Sequence, residues 1–117
     1  MVDQLTALKE LDKAVVGGKC SKFEPLFEFA FYPIREQMTD AYTASDAFFG
    51  SLDASKKLHD AVLPRWDIQV GTYDDELFEA SVAASLKVET YDGVATTMAC
   101  AWLLAIIRAK IAEMEGK

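Results

Sequence analysis

The stretch that most limits how this chain can fold is its last apolar run, VATTMACAWLLAII, residues 94–107, closed by Arg108. Two threonines interrupt it, and it falls short of the roughly 20 residues a membrane span requires. A helix is predicted from a cap at Thr96 or Thr97, with Cys100, Leu103, Leu104, Ile107, Ile111 and Met114 forming a broad stripe that Trp102 and Ile106 widen. A helix apolar around most of its circumference must be covered on more than one side, so it belongs in the middle of the core.

What can surround it is read from the preceding segments. Leu5, Leu8, Leu11 and Val15 recur at spacings of three and four, which predicts an amphipathic first helix ended by Gly17 and Gly18. The aromatic segment SKFEPLFEFAFYP predicts a short helix from about Glu24, with Pro25 in its first turn and Pro33 closing it, although the alternation of Phe27, Phe29 and Phe31 also permits a strand. Residues 34–50 show no sustained period and end in an exposed-looking Phe48–Phe49 pair and Gly50. SLDASKKLHDAVLP reads as a helix with Ser51 as N-cap, Asp53 in its first turn, an apolar side of Leu52, Leu58, Val62 and Leu63, and Pro64 as its stop.

Trp66, Ile68, Val70 and Thr72 then alternate with Asp67, Gln69 and Gly71, the period of a strand with one face on a core. Past an acidic turn, Phe78, Ala80 and Val82 alternate with Leu77, Glu79 and Ser81, as suits an antiparallel partner. Leu86, Val88 and Thr90 against Lys87, Glu89 and Tyr91 offer a third strand. The expected fold is therefore α+β, a small antiparallel sheet of two or three strands packed with helices in a layered α/β/α sandwich, with residues 1–117 forming one domain. With 51% apolar residues in 117, such a domain buries roughly two thirds of its unfolded surface without a disulfide or metal staple.

Composition also narrows function. The formal charge of −7 argues against a phosphate-backbone binder or an anionic membrane surface as partner, since both call for concentrated Lys and Arg. Cys20 and Cys100 lie far apart, neither near a His, which favours a reducing compartment. The N-terminus lacks the basic start and cleavage pattern of a signal peptide, so a cytoplasmic location is expected. His59, the one histidine, has no nucleophile or metal-ligand pattern converging on it and reads as a structural side chain. No phosphate loop or nucleophile elbow occurs, and we expect neither cofactor nor catalysis. Phe23, Phe27, Phe29, Phe31 and Tyr32 lack the interleaved bases of a nucleobase-stacking surface and read as core.

Two stretches, YTASDAFFGSLDASKKLHDAVLPRWDIQV and DGVATTMACAWLLAIIRAKIAE, resemble the small phage ABA sandwich domain of tailed phages and prophages. The resemblance rests on Ser51, Leu52, Asp53 and Ala54 at a helix start, Leu63, Pro64 and Trp66 at a helix-to-strand turn, and Ala95 and Thr96 opening the alanine-rich last helix through Ala105. It covers a little over half the chain and departs from the family pattern at Thr97, where members often have Pro, and in the longer, more aromatic segment 23–50. It implies a fold and a phage setting; no catalytic residue is carried over from it.

Charge is unevenly placed. From Asp67 to Asp92 there are seven acids, Asp67, Asp74, Asp75, Glu76, Glu79, Glu89 and Asp92, against one base, Lys87, which is −6 of the net −7. The consecutive acids Asp74, Asp75 and Glu76 lack the spread and the turn glycine of a calcium loop. Such an acidic edge serves solubility and guards edge strands, or it meets a basic partner. The expected binding residues are Asp67, Asp74, Asp75, Glu76 and Glu79, with Phe48 and Phe49 as apolar anchors. In a phage setting the basic partner would be a host nucleic-acid-handling defence complex, blocked in an anti-CRISPR-like manner by an acidic nucleic-acid mimic. The alternatives are a self-associating virion or packaging accessory, homodimeric through its sheet edges, and a small-molecule pocket between the aromatic segment and the last helix.

Overall fold

The computed structural model describes residues 4–17, 30–31, 39–84 and 89–116. The expected helix from Glu24 to Pro33 lies outside them except for Ala30 and Phe31, as do Cys20 and the Leu86–Val88 part of the expected third strand. In chain order the elements are α1 (Gln4–Val16), α2 (Thr39–Phe48), α3 (Leu52–Val62), β1 (Asp67–Thr72), β2 (Phe78–Ala83), β3 (Thr90–Ala95) and α4 (Met98–Met114).

Helix α4 starts where its cap dictates. Thr97 holds an extended backbone, and its Oγ1 accepts the Cys100 N–H at 3.0 Å. The residues from Ala99 to Ile107 are all buried, so both flanks of the helix are covered, as its apolar circumference requires. On one side lie β2 and β3, and on the other α1, α2 and α3. The α+β class with a three-stranded antiparallel sheet is as expected; among the described residues the middle layer is α4, with the sheet on one side of it and the other helices on the far side.

The sheet runs β1-β2-β3, both pairs antiparallel. Its register puts Ile68, Val82 and Tyr91 in one row, Val70, Ala80 and Gly93 in another, and Thr72, Phe78 and Ala95 in a third, all on the face toward α4. Gly93 is what lets the helix come so close. A Cβ there would overlap the Ala101 carbonyl oxygen and stand 2.7 Å from Leu104 Cβ and 2.8 Å from the Ala105 nitrogen.

That contact corrects one expectation. Strand β3 is Thr90–Ala95, where the sequence predicts a third strand over Leu86 to Tyr91. A strand glycine lowers β propensity, and only the packing against α4 explains it. A second correction is α2. Residues 34–50 show no period, yet Thr39–Phe48 is helical, because its buried face is supplied by the small side chains Ala44 and Ala47, which leave little hydrophobic signature. In α3 the N-cap is as expected, Ser51 Oγ accepting the Ala54 N–H at 3.1 Å, but Leu52 is 44% exposed, and the buried face is Ala54, Ser55, Leu58, His59 and Val62, continued by Leu63. Beyond it Arg65 takes a left-handed backbone (φ 71°) that turns the chain into β1.

Polar contacts pin the layers together. Ser55, fully buried, donates to the Ala99 carbonyl at 2.8 Å and ties α3 to the first turn of α4. Arg108 grips both carboxylate oxygens of Asp12 on α1, at 3.2 and 3.4 Å, and donates to the Asp92 carbonyl of β3 at 2.8 Å.

Candidate functional site

The sheet face turned away from α4 is built from three other rows: Asp67, Ala83 and Thr90; Gln69, Ser81 and Asp92; Gly71, Glu79 and Val94. Asp67, Gln69, Glu79, Thr90 and Asp92 are all exposed, so among the described residues no layer covers this face. It carries three carboxylates and, among the described residues, no base. Asp92 is engaged sideways, accepting from the Ser81 hydroxyl at 2.5 Å.

The β1–β2 connection extends this charge. Tyr73 donates its N–H to the Leu77 carbonyl at 2.8 Å, closing a loop that contains the three consecutive acids. These acids do different things. Asp74 Oδ1 accepts the N–H groups of Glu76 and Leu77, each at 2.9 Å, so its carboxylate shapes the loop. Asp75 and Glu76 are exposed at the tip, with no side-chain hydrogen bond or ion pair. Sequence alone does not separate Asp74 from its neighbours, because the bonds depend on the loop's backbone path.

Of the residues expected to bind, Asp75, Glu76 and Glu79 come together at the loop end of the sheet. Asp67 stands at the opposite end of β1, four ladder positions from the Gly71–Glu79 row, roughly 13 Å along the strand. Asp92 lies between them and is not among the expected binding residues, because the expected third strand ends at Tyr91, one residue short of it. Among the described residues the ion pairs Lys9–Glu115, Lys56–Asp60, Arg108–Asp12 and Lys110–Glu113 all join helices or their caps. None of these pairs involves an acid of the sheet or of the β1–β2 loop.

Phe48 and Phe49 stack edge to face with ring centroids 4.9 Å apart. Phe48 is half-buried against the core and Phe49 is 55% exposed. Phe48 also lines an open cavity of about 320 Å³ with Val15, Leu77, Ala95, Thr97 and Cys100. Because Leu77 follows Glu76, this apolar recess, with Phe48 in its wall, and the acidic loop share one end of the molecule. Burial pushes the Cys100 thiol up to about 11, which favours its protonated form in the cavity wall.

His59 is a packed structural residue. It is 4% exposed; its Nδ1 accepts the Trp102 indole N–H at 3.1 Å, and its Nε2 therefore carries the proton it donates to the Trp66 carbonyl at 2.8 Å. Ser55 lies one turn earlier but spends its hydroxyl on Ala99, so the two do not form a nucleophile–base pair. Among the described residues no three His, Cys, Asp or Glu side chains converge as a metal site, and no helix is long and apolar enough to cross a membrane. No protein-family model matches this chain, and neither the curated proteins nor the solved structures contain a match to it.

Proposed function

We propose that this protein acts by binding a macromolecule with a basic surface, through the uncovered sheet face and the hairpin tip. The observation that carries this reading is the sorting of charge: Asp67, Glu79 and Asp92 on the open face and Asp75 and Glu76 at the tip, none of them in an ion pair among the described residues. Like charges held together without partners oppose folding. A cationic partner removes that repulsion and is drawn in by the same field, which speeds encounter and fixes register. Phe48, Phe49 and the recess beside Leu77 supply an apolar anchor at the edge of the patch.

Grooves that handle DNA or RNA present Lys and Arg along one face. Blockade of such a groove in a host defence complex is the specific form of this function that we favour. The test is capture of partners by the tagged protein from bacterial lysates carrying active defence systems. A basic nucleic-acid-handling protein should be held at low salt and released near 1 M, where the screening length falls to about 3 Å. The combined variant Asp75→Lys, Glu76→Lys, Glu79→Lys should lose it while melting normally. Capture indifferent to salt and to charge reversal, or recovery of only the protein's own copies, would replace this function with self-assembly.

A further inference from the structure

The sheet has two edges, and they are finished differently. On β3 the Asp92 carbonyl is taken by Arg108, itself held by Asp12 of α1. On β1 nothing comparable occurs among the described residues: Asp67 to Thr72 pair with β2 and make no other hydrogen bond with them. The Tyr73–Leu77 bond sets the alternation of the ladder, so Asp67, Gln69 and Gly71 turn their amides to β2, and Ile68, Val70 and Thr72 turn their N–H and C=O groups outward. Among the described residues the usual guards of an exposed edge are missing. β1 contains no Pro and no Lys, and its one charge, Asp67, is at its end. On the inner face the strand runs past the cover of α4, leaving Val70 43% exposed and Thr72 exposed beside it.

Gly71 is the second observation. A Cβ placed on it meets nothing within 4 Å, and its backbone is not left-handed, so neither packing nor conformation calls for glycine there. A glycine inside a strand weakens it and marks a place where another group passes close to the backbone. Here the missing side chain opens a lane on the outer face from the β1 edge to Glu79, its partner in the register.

We propose that the β1 edge accepts an extended segment of the basic partner as a fourth strand, with a Lys or Arg of that segment lying across Gly71 to Glu79. This rests on the binding function proposed above and adds its mode. An added strand would lie about 4.8 Å from β1 and about 10 Å from β2, a distance that a long cationic side chain and a glutamate span together. Alternate residues of the segment would face outward, toward Asp67 and the Gly71 lane, and should be basic. Those between would face inward beside Val70 and should be apolar. A second copy of β1 fits less well, since it brings Asp67 and a further −7 where cations belong.

The probe is a blocked seven-residue peptide alternating lysine and valine, titrated into the full chain at low salt with amide exchange read residue by residue. Binding should slow exchange at Ile68, Val70 and Thr72 at least tenfold. A version N-methylated on alternate amides, unable to complete the ladder, should bind at least tenfold more weakly, and Gly71→Val should weaken the parent peptide about fivefold without lowering the melting midpoint. If both peptides bind alike in a salt-sensitive way and the three amides stay unprotected, the acidic face binds cations but the strand mode is wrong. If neither peptide binds even at low salt, the binding function itself fails. Protection of the three amides that grows with protein concentration in the absence of peptide would assign the edge to a second copy and overturn the proposal.

Discussion

Gly93 and Gly71 occupy neighbouring rows of one small sheet on opposite faces, and chemically they are the same residue. Around Gly93 there is no room: the backbone of α4 fills the place of a side chain. Around Gly71 there is only space. The inner side of β2 and β3 is thus committed to the fold, covered by α4, with Ser55, His59 and Arg108 tying the layers. The outer side and the β1 edge contribute little to burial and keep their charges and amides available. The contrast teaches where stability and binding can be separated in this molecule, and substitutions on the two sides should have effects of different size and kind.

The largest effect should come from Gly93→Ala. One methyl group there meets backbone atoms, which cannot rotate away, so α4 must lift off the sheet, and a loss of at least about 3 kcal/mol in chemical denaturation is expected. A loss below about 1 kcal/mol would mean that the helix–sheet contact is looser than described. His59→Ala follows, at about 2–3 kcal/mol, because it leaves a cavity and strands the Trp102 N–H and Trp66 carbonyl without partners. Trp102 fluorescence should shift with it, reporting the lost packing.

Cys100 provides a pH test of the same interior. Its thiol is raised from 9.0 to about 11 by burial, so the folded state holds this proton more tightly than the unfolded state does. The contribution is fully present below pH 9, declines as pH rises, and is lost above about 11, a fall of about 2–3 kcal/mol. Comparing Cys100→Ala with the parent across that window isolates it from other alkaline titrations, including that of Tyr91, whose phenol is also raised by desolvation and by its bond to Glu89. Parallel stability curves for the two proteins would show the thiol to be solvated.

The smallest effects belong to the loop and should split its three acids. Asp74→Ala removes two bonds to backbone N–H groups and should cost about 1 kcal/mol. Asp75→Lys and Glu76→Lys should each stay within about 0.5 kcal/mol, as expected for exposed positions. Equal costs at all three would remove the distinction between the residue that shapes the loop and those that face a partner.

Much of the committed side is legible in the sequence. The caps at Ser51 and Thr97, the alternation from Trp66 to Val82 and the all-round apolarity of the last helix each express a local rule, and each element forms as that rule requires. Helix α2 escapes because it packs through alanines, and β3 escapes because Gly93 makes sense only once α4 lies against it. The acidic character of the site is visible in composition, but its geometry is not. That Asp67 and Glu79 lie at opposite ends of the face, that Asp92 joins them and that Asp74 turns back into its loop all follow from register and backbone path. The open β1 edge is a property of topology, and the meaning of Gly71 beside it emerges only once the strand order is known.

The division between a committed and an available side is tested most directly by native-state amide exchange on the free protein at low concentration. The amides of Ile68, Val70 and Thr72 should exchange at rates near those of exposed chain, while those of Ala101 to Ile107 in α4 should open only with global unfolding. Comparable protection in the two groups would mean that the β1 edge is already covered in the free molecule, and the account of this face as a binding surface would be contradicted.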